Sequence, residues 1–121
     1  MDYEDLDVWN KAHKLTLKTY EVTEDFPSEE PYRLTDQICR SASSVPANIA
    51  EGTGRKTLKE YAQFLYNARG SIEETKYHLR LAKDLGYLDE DMYEKFKSGY
   101  ETVGKMLNGL INSIKEKQGD S

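Results

Sequence analysis

The sequence predicts an all-α protein: an antiparallel up-and-down four-helix bundle with a Pro-kinked second helix. Three observations carry that prediction. Apolar residues recur at alternating spacings of three and four in four separate stretches, the repeat of one helix face, whereas strand alternation at period two is absent. The connections between the stretches are short, which makes an up-and-down bundle the default arrangement. The chain has 121 residues, with only three Pro and eight Gly, and reads as a single domain over 1–121. The helices are expected at about 5–25, 31–52, 57–86 and 89–117.

In the first stretch Val8, Ala12, Leu15, Thr19 and Val22 form the stripe, and Leu6 and Trp9 widen it. Asp5 is the expected N-cap, and the neighbouring acids suit the positive helix end. The stretch should stop before Phe26-Pro27, since a residue preceding Pro is pushed out of helical geometry.

The second stretch is expected to open on Pro31, whose missing N–H is harmless in a first turn. Leu34, Ile38, Ala42, Val45 and Ile49 carry the stripe, and Gly52-Thr53-Gly54 closes it. Pro46 lies inside and removes one helical hydrogen bond. A kink is expected rather than a break with a new helix capped by Ser44 or Val45, because the stripe keeps its phase. Ser41, Ser43 and Ser44 are the expected donors to the freed carbonyls.

The third stretch opens on a capping box, Thr57 with Glu60. Leu58, Ala62, Leu65, Ile72, Leu79 and Ala82 keep one face, with Ala68 or Arg69 and Thr75 or Lys76 at the intervening turns. Gly70 falls in mid-helix, where it would let another helix approach closely, and Gly86 is the expected C-terminal stop. The fourth stretch starts at Asp89. Its stripe runs through Met92, Phe96, Val103, Leu110 and Ile114, with Gly99 or Tyr100 and Met106 or Leu107 at the intervening turns, and Gln118 to Ser121 should fray.

Charge and composition exclude several functions. No apolar run reaches the ~18 residues of a membrane span, and the acidic N-terminus is unlike a secretory signal, so a cytoplasmic protein is expected, with no membrane partner. Cys39 is alone, and with only His13 and His78 beside it the metal inventory is poor; no metal and no cofactor are expected. A di-metal bundle would need Glu-x-x-His pairs, and neither His follows a Glu by three. No catalytic residue is assigned: Glu51, Glu73 and Glu74 lack a paired base, a ligand set or a phosphate loop, so the chain is not expected to be an enzyme.

The net charge of −5 conceals a gradient. Residues 1–30 hold nine acids against three lysines, whereas residues 31–60 hold five basic residues against three acids. Only the middle of the chain could attract phosphate. Arg33, Arg55, Lys56, Lys59 and Arg69 are therefore the candidate nucleic-acid contacts.

The second stretch is unusual for a core helix, because from Arg40 to Gly52 almost every side chain is small or polar. Arg40, Ser44, Asn48 and Glu51 share a stripe. Together with Ser41 and with Glu73 and Glu74 on the third helix, they are expected to form a structural polar seam that fixes register. Arg40 should pair with Glu73 or Glu74, and Asn48 should bond across the seam. Nine tyrosines exceed what a small core buries, which points to an interface.

These residues carry a family resemblance. Leu6-Asp7-Val8-Trp9, Gln37-Ile38-Cys39-Arg40-Ser41-Ala42, Asn48-Ile49-Ala50-Glu51-Gly52, Gly54-Arg55, Glu60-Tyr61, Phe64-Leu65 and Ala68 to Glu74 resemble the 23S rRNA intervening-sequence proteins, a four-helix-bundle family. The resemblance covers about residues 5 to 115. It implies a ring-like homopentamer with no enzymatic activity. The family also looks like the accessory variability proteins of retroelements, pentameric bundles that bind a reverse transcriptase and nucleic acid through a basic surface, from which this acidic chain departs. The expected function is a non-catalytic, self-assembling scaffold or partner-binding module. The alternative is a nucleic-acid or ribonucleoprotein accessory protein with an RNA or protein partner.

Overall fold

A computed structural model describes residues 2–30 and 33–119. A short 3-10 helix, Tyr3–Asp5, precedes four α-helices: α1 (Asp7–Thr23), α2 (Leu34–Thr53), α3 (Leu58–Asp84) and α4 (Glu90–Gly119). There is no strand among the described residues. The α2–α3 pair is the most extensive contact, followed by α3–α4, α1–α2 and α1–α4, so the four helices close around one core. Across α2 and α3, Ser41 meets Thr75 and Ser44 meets Ser71, the numbers rising on one helix as they fall on the other. Those neighbours run in opposite directions.

Asp5 does not cap α1. It belongs to the 3-10 turn, and the helix starts from Leu6 without a side-chain cap. Asn10 ties this entry down instead, its amide donating to the Glu4 and Leu6 carbonyls at 2.9 and 3.0 Å. The buried face of α1 is Val8, Ala12, Thr16, Thr19 and Thr23, whereas Leu15 and Val22 are only half-buried. Threonine is tolerated there because each hydroxyl reaches a backbone carbonyl one turn back.

The opening of α2 assigned to Pro31 lies outside the described residues; the helix itself begins at Leu34. Arg33 precedes it in left-handed backbone conformation, φ 53°, and Glu30 caps the first turn, accepting from the Leu34 and Thr35 amides. α2 runs through Pro46 without a break. Pro46 leaves the Ala42 carbonyl without its helical donor. The serines do not fill that gap: Ser41 donates to Ile38 and Ser43 to Arg40. Thr16 of α1 fills it, donating to the Ala42 carbonyl at 3.0 Å.

Thr57 caps α3 by accepting from the Glu60 amide at 3.1 Å. α3 ends in a Schellman turn: Tyr87 donates to Ala82 at 2.9 Å and Gly86 to Lys83 at 3.0 Å, with Gly86 at φ 83°, a conformation glycine adopts freely. Asp89 then accepts from the Met92 amide at 2.7 Å and starts α4. The buried face of α4 begins at Tyr93 rather than Met92 and continues through Phe96, Tyr100, Val103, Leu107, Ile111 and Ile114. Leu58 is likewise exposed rather than in the core. Gln118 and Gly119 remain helical; Asp120 and Ser121 lie outside the described residues.

The close approach assigned to Gly70 occurs elsewhere. Gly70 is exposed, and a Cβ there would meet nothing within 4 Å. Gly52 is the contact point, where a Cβ would sit 2.8 Å from Tyr61 Cδ1 and 3.1 Å from Phe64 Cβ. Gly99 does the same for Leu15 on α1, at 2.9 Å from Cδ2.

Candidate functional site

Two surfaces frame α2: the polar seam toward α3 and an apolar groove toward α1. The seam is built from short hydroxyls. Thr75 lies 2.9 Å from Ser41 Oγ, and its single proton is shared with the Ser71 carbonyl at 2.7 Å. Ser44 and Ser71 meet at 3.0 Å. These small groups let the two backbones approach and still satisfy one another, as buried polar groups must.

The longer members of the seam sit differently. Asn48 donates to the Ser44 carbonyl at 2.8 Å and to its hydroxyl at 3.0 Å, so it stays on its own helix and reaches α3 only through Ser44. Arg40, Glu51, Glu73 and Glu74 are exposed. Glu51 pairs with Arg55 at 3.4 Å and Glu73 with Lys76 at 3.6 Å, each within or just beyond its own helix. Arg40 makes no ion pair among the described residues, so the bridge to Glu73 or Glu74 is not formed. The cause is helix phase. Arg40 and Glu74 immediately precede the inward Ser41 and Thr75, and one residue is a rotation of about 100°. Both side chains swing outward into a cleft of about 350 Å³ lined by Arg33, Asp36, Gln37, Arg40, Glu74 and His78.

The five candidate phosphate contacts are all exposed but do not form one patch. Arg55, Lys56 and Lys59 cluster around the α2–α3 connection. Arg33 stands at the other end of α2, roughly 30 Å away at 1.5 Å rise per residue. Arg69 lies on the α3–α4 seam, donating to Asn108 at 2.9 Å. Three aromatic rings carry cations among the described residues, Tyr93 under Lys83 at 5.0 Å and two nearer the candidate contacts. Arg55 sits 4.3 Å from the Phe64 ring centre, and Tyr66 is flanked by Arg69 at 4.8 Å and Lys115 at 5.2 Å. Lys115 was not a sequence candidate; only the pairing of α4 with α3 brings it there.

The α1–α2 groove was not legible as a site. Tyr3, Trp9 and His13 form an aromatic run, with ring centres 4.9 and 4.8 Å apart and the last two nearly parallel at 12°. With Thr16 and Tyr20 they wall a groove of about 330 Å³ floored by Ser43, Pro46, Ala47 and Ala50. The available signal was the spacing of Trp9, His13, Thr16 and Tyr20, a second stripe beside the core one.

In the core, the Tyr100 hydroxyl is buried without a hydrogen bond among the described residues. Burial pushes its pKa up to about 12; Thr19 beside it favours ionisation slightly, but the Thr19 proton is committed to the Leu15 carbonyl at 2.7 Å. Among the described residues no group of three or more His, Cys, Asp or Glu is placed to hold a metal ion, and no helix is long and apolar enough to cross a membrane.

Comparison with known proteins places this architecture. One similar solved structure is a protein of unknown function from the S23 ribosomal protein family of Bacteroides thetaiotaomicron. It is 23% identical, with a TM-score of 0.77 over 86% of this chain and 97% of that one, and it supports the fold. No curated protein matches the chain. The family model described as 23S rRNA-intervening sequence protein matches residues 4–109, which takes in α1, α2, α3 and the larger part of α4. The chain therefore belongs to the 23S rRNA-intervening sequence protein family.

Proposed function

We propose that the protein is a non-catalytic, self-assembling helical scaffold or partner-binding module of the cytoplasm. A homo-oligomeric ring of five is the stoichiometry that its family resemblance implies. The observation that carries this reading is the apolar surface left outside the core. Leu17 is 56% exposed, Tyr20 51% and Tyr77 61%, and Tyr20 walls the aromatic groove. Contiguous apolar surface on a small domain marks an interaction site. Sedimentation velocity at micromolar concentration tests the proposal; a single boundary at the mass of one chain removes it.

A second reading, an accessory protein for structured RNA, is favoured by the cations stacked on Phe64 and Tyr66, an arrangement that resembles base-stacking platforms. Filter binding at low salt tests it. Retention that falls steeply as salt rises supports phosphate contact, and no retention at about 50 mM salt rejects it.

A further inference from the structure

Where the hydroxyl seam between α2 and α3 ends, a charged cleft begins. The Ser41–Thr75 and Ser44–Ser71 contacts give the same register to within one residue. In that register the next step sets Gln37 level with His78, and Glu74 close to the level of Arg40. The cleft of about 350 Å³ opens there, within the size range of small-molecule sites. Its α2 wall carries Arg33, Asp36 and Arg40 in turn, the two arginines being roughly 10 Å apart at 1.5 Å rise per residue. Its α3 wall carries Glu74 and His78.

Three features of these residues are unexplained by folding. Two cations and two anions share the cleft, yet Arg33, Asp36, Arg40 and Glu74 make no ion pair among the described residues. Two buried side-chain polar atoms lack a hydrogen bond among the described residues; one is the Tyr100 hydroxyl in the core, and the other is His78 Nδ1, on the wall of this cleft. A native fold seldom leaves such an atom without a reason. Arg33 is also the one non-glycine residue with positive φ among the described residues, at 53°. That conformation disfavours a side chain, and strained backbone gathers at functional sites. The helix N-terminus is not the feature at issue, since Glu30 already caps it.

The signs of the charges select the ligand. A simple anion would meet Asp36 and Glu74, and a simple cation would meet Arg33 and Arg40, so each would be opposed by like charge. A ligand carrying both signs on neighbouring atoms satisfies both walls. Asp36 and Arg40 also face a cleft toward α1, but there Glu24 joins Asp36 against the single arginine. The balanced set lies on the α3 side.

We propose that this cleft binds a free α-amino acid as its zwitterion. The ammonium lies between Asp36 and Glu74, and the carboxylate takes the Arg40 guanidinium, a charge-assisted pair of the strong kind. The amino acid's side chain points along the cleft toward His78 and Arg33. The site is independent of self-assembly and of RNA binding.

NMR titration of the full chain tests it, with L-alanine, L-leucine, L-glutamate and L-lysine as probes. At least one is expected to shift the Gln37 and His78 amide signals saturably below about 10 mM, a weak but specific affinity. Its N-acetyl form, which lacks the ammonium, and its amide, which lacks the carboxylate, are each expected to bind about tenfold or more weakly, the worth of one charge-assisted bond. Arg40→Ala and Glu74→Gln should each cost the same factor while leaving the melting temperature unchanged. Failure of all four amino acids to saturate overturns the proposal. An N-acetyl form that binds as tightly as its parent would show a plain anion site and overturn it too, as would full affinity in either variant.

Discussion

Thr16 on α1 directs its hydroxyl to the Ala42 carbonyl on α2 at 3.0 Å, where Pro46 supplies no backbone N–H, and shares that single proton with the Ala12 carbonyl at 3.1 Å. Both residues are buried. Thr16→Val should therefore destabilise the fold by about 1–3 kcal/mol, the cost of an orphaned buried acceptor. In a Pro46→Ala background the N–H returns, and the same substitution should cost about 1 kcal/mol less. Urea denaturation of the four proteins in a double-mutant cycle reads the difference. Additivity would show that Thr16 does not serve the Pro46 gap.

The glycines of α2 and α3 should respond in opposite directions. Gly52→Ala drives a Cβ to 2.8 Å from the Tyr61 ring and 3.1 Å from Phe64 Cβ, so the ring or the helix that carries it must shift. A loss of about 1–3 kcal/mol is expected, as for other overpacked sites. Gly70→Ala meets nothing and gains helix propensity, so a gain of about 0.5–1 kcal/mol is expected. Thermal melts of the two variants check the pair.

Tyr100 sets an alkaline limit. Its hydroxyl has a pKa near 10 in the unfolded chain and about 12 in the fold, because burial disfavours the phenolate. The neutral form's contribution is fully present below pH 10 and is lost as pH rises toward 12, at about 1.4 kcal/mol per unit. Tyr100→Phe should flatten stability between pH 10 and 12. At neutral pH it should be harmless, or stabilising by up to about 1 kcal/mol, since it deletes an unpaired hydroxyl. Denaturant midpoints at pH 7 and pH 11 test both parts.

Arg40→Ala should leave the folding of a single chain nearly unchanged, within about 0.5 kcal/mol, because the side chain is exposed and makes no ion pair among the described residues. The check is denaturation of the variant at a protein concentration low enough to dissociate the wild type. A loss of several kcal/mol there would show that Arg40 holds the fold through a buried partner.

The helix count, the α3 and α4 starts and the Gly86 stop were legible because each has a local cause: a three–four stripe, Thr57, Asp89, and a left-handed glycine. The α1 start failed because Asp5 is drawn into a preceding 3-10 turn, which no propensity for capping reveals. The seam was legible in part. Small residues announced the close α2–α3 approach, but a stripe written from polarity chose Arg40, Ser44, Asn48 and Glu51, whereas the inward line is Ser41, Ser44 and their α3 partners. One residue of phase separates an inward serine from an outward arginine, and only the packed neighbour sets that phase. The Thr16–Ala42 bond was hidden for a similar reason, since it joins residues 26 positions apart in two helices.

Light scattering coupled to size-exclusion chromatography tests the central claim of self-assembly most directly. Five chains of 13.9 kDa make a ring of about 70 kDa, and a peak at that mass is expected. A peak at 13.9 kDa that persists as concentration rises would contradict it.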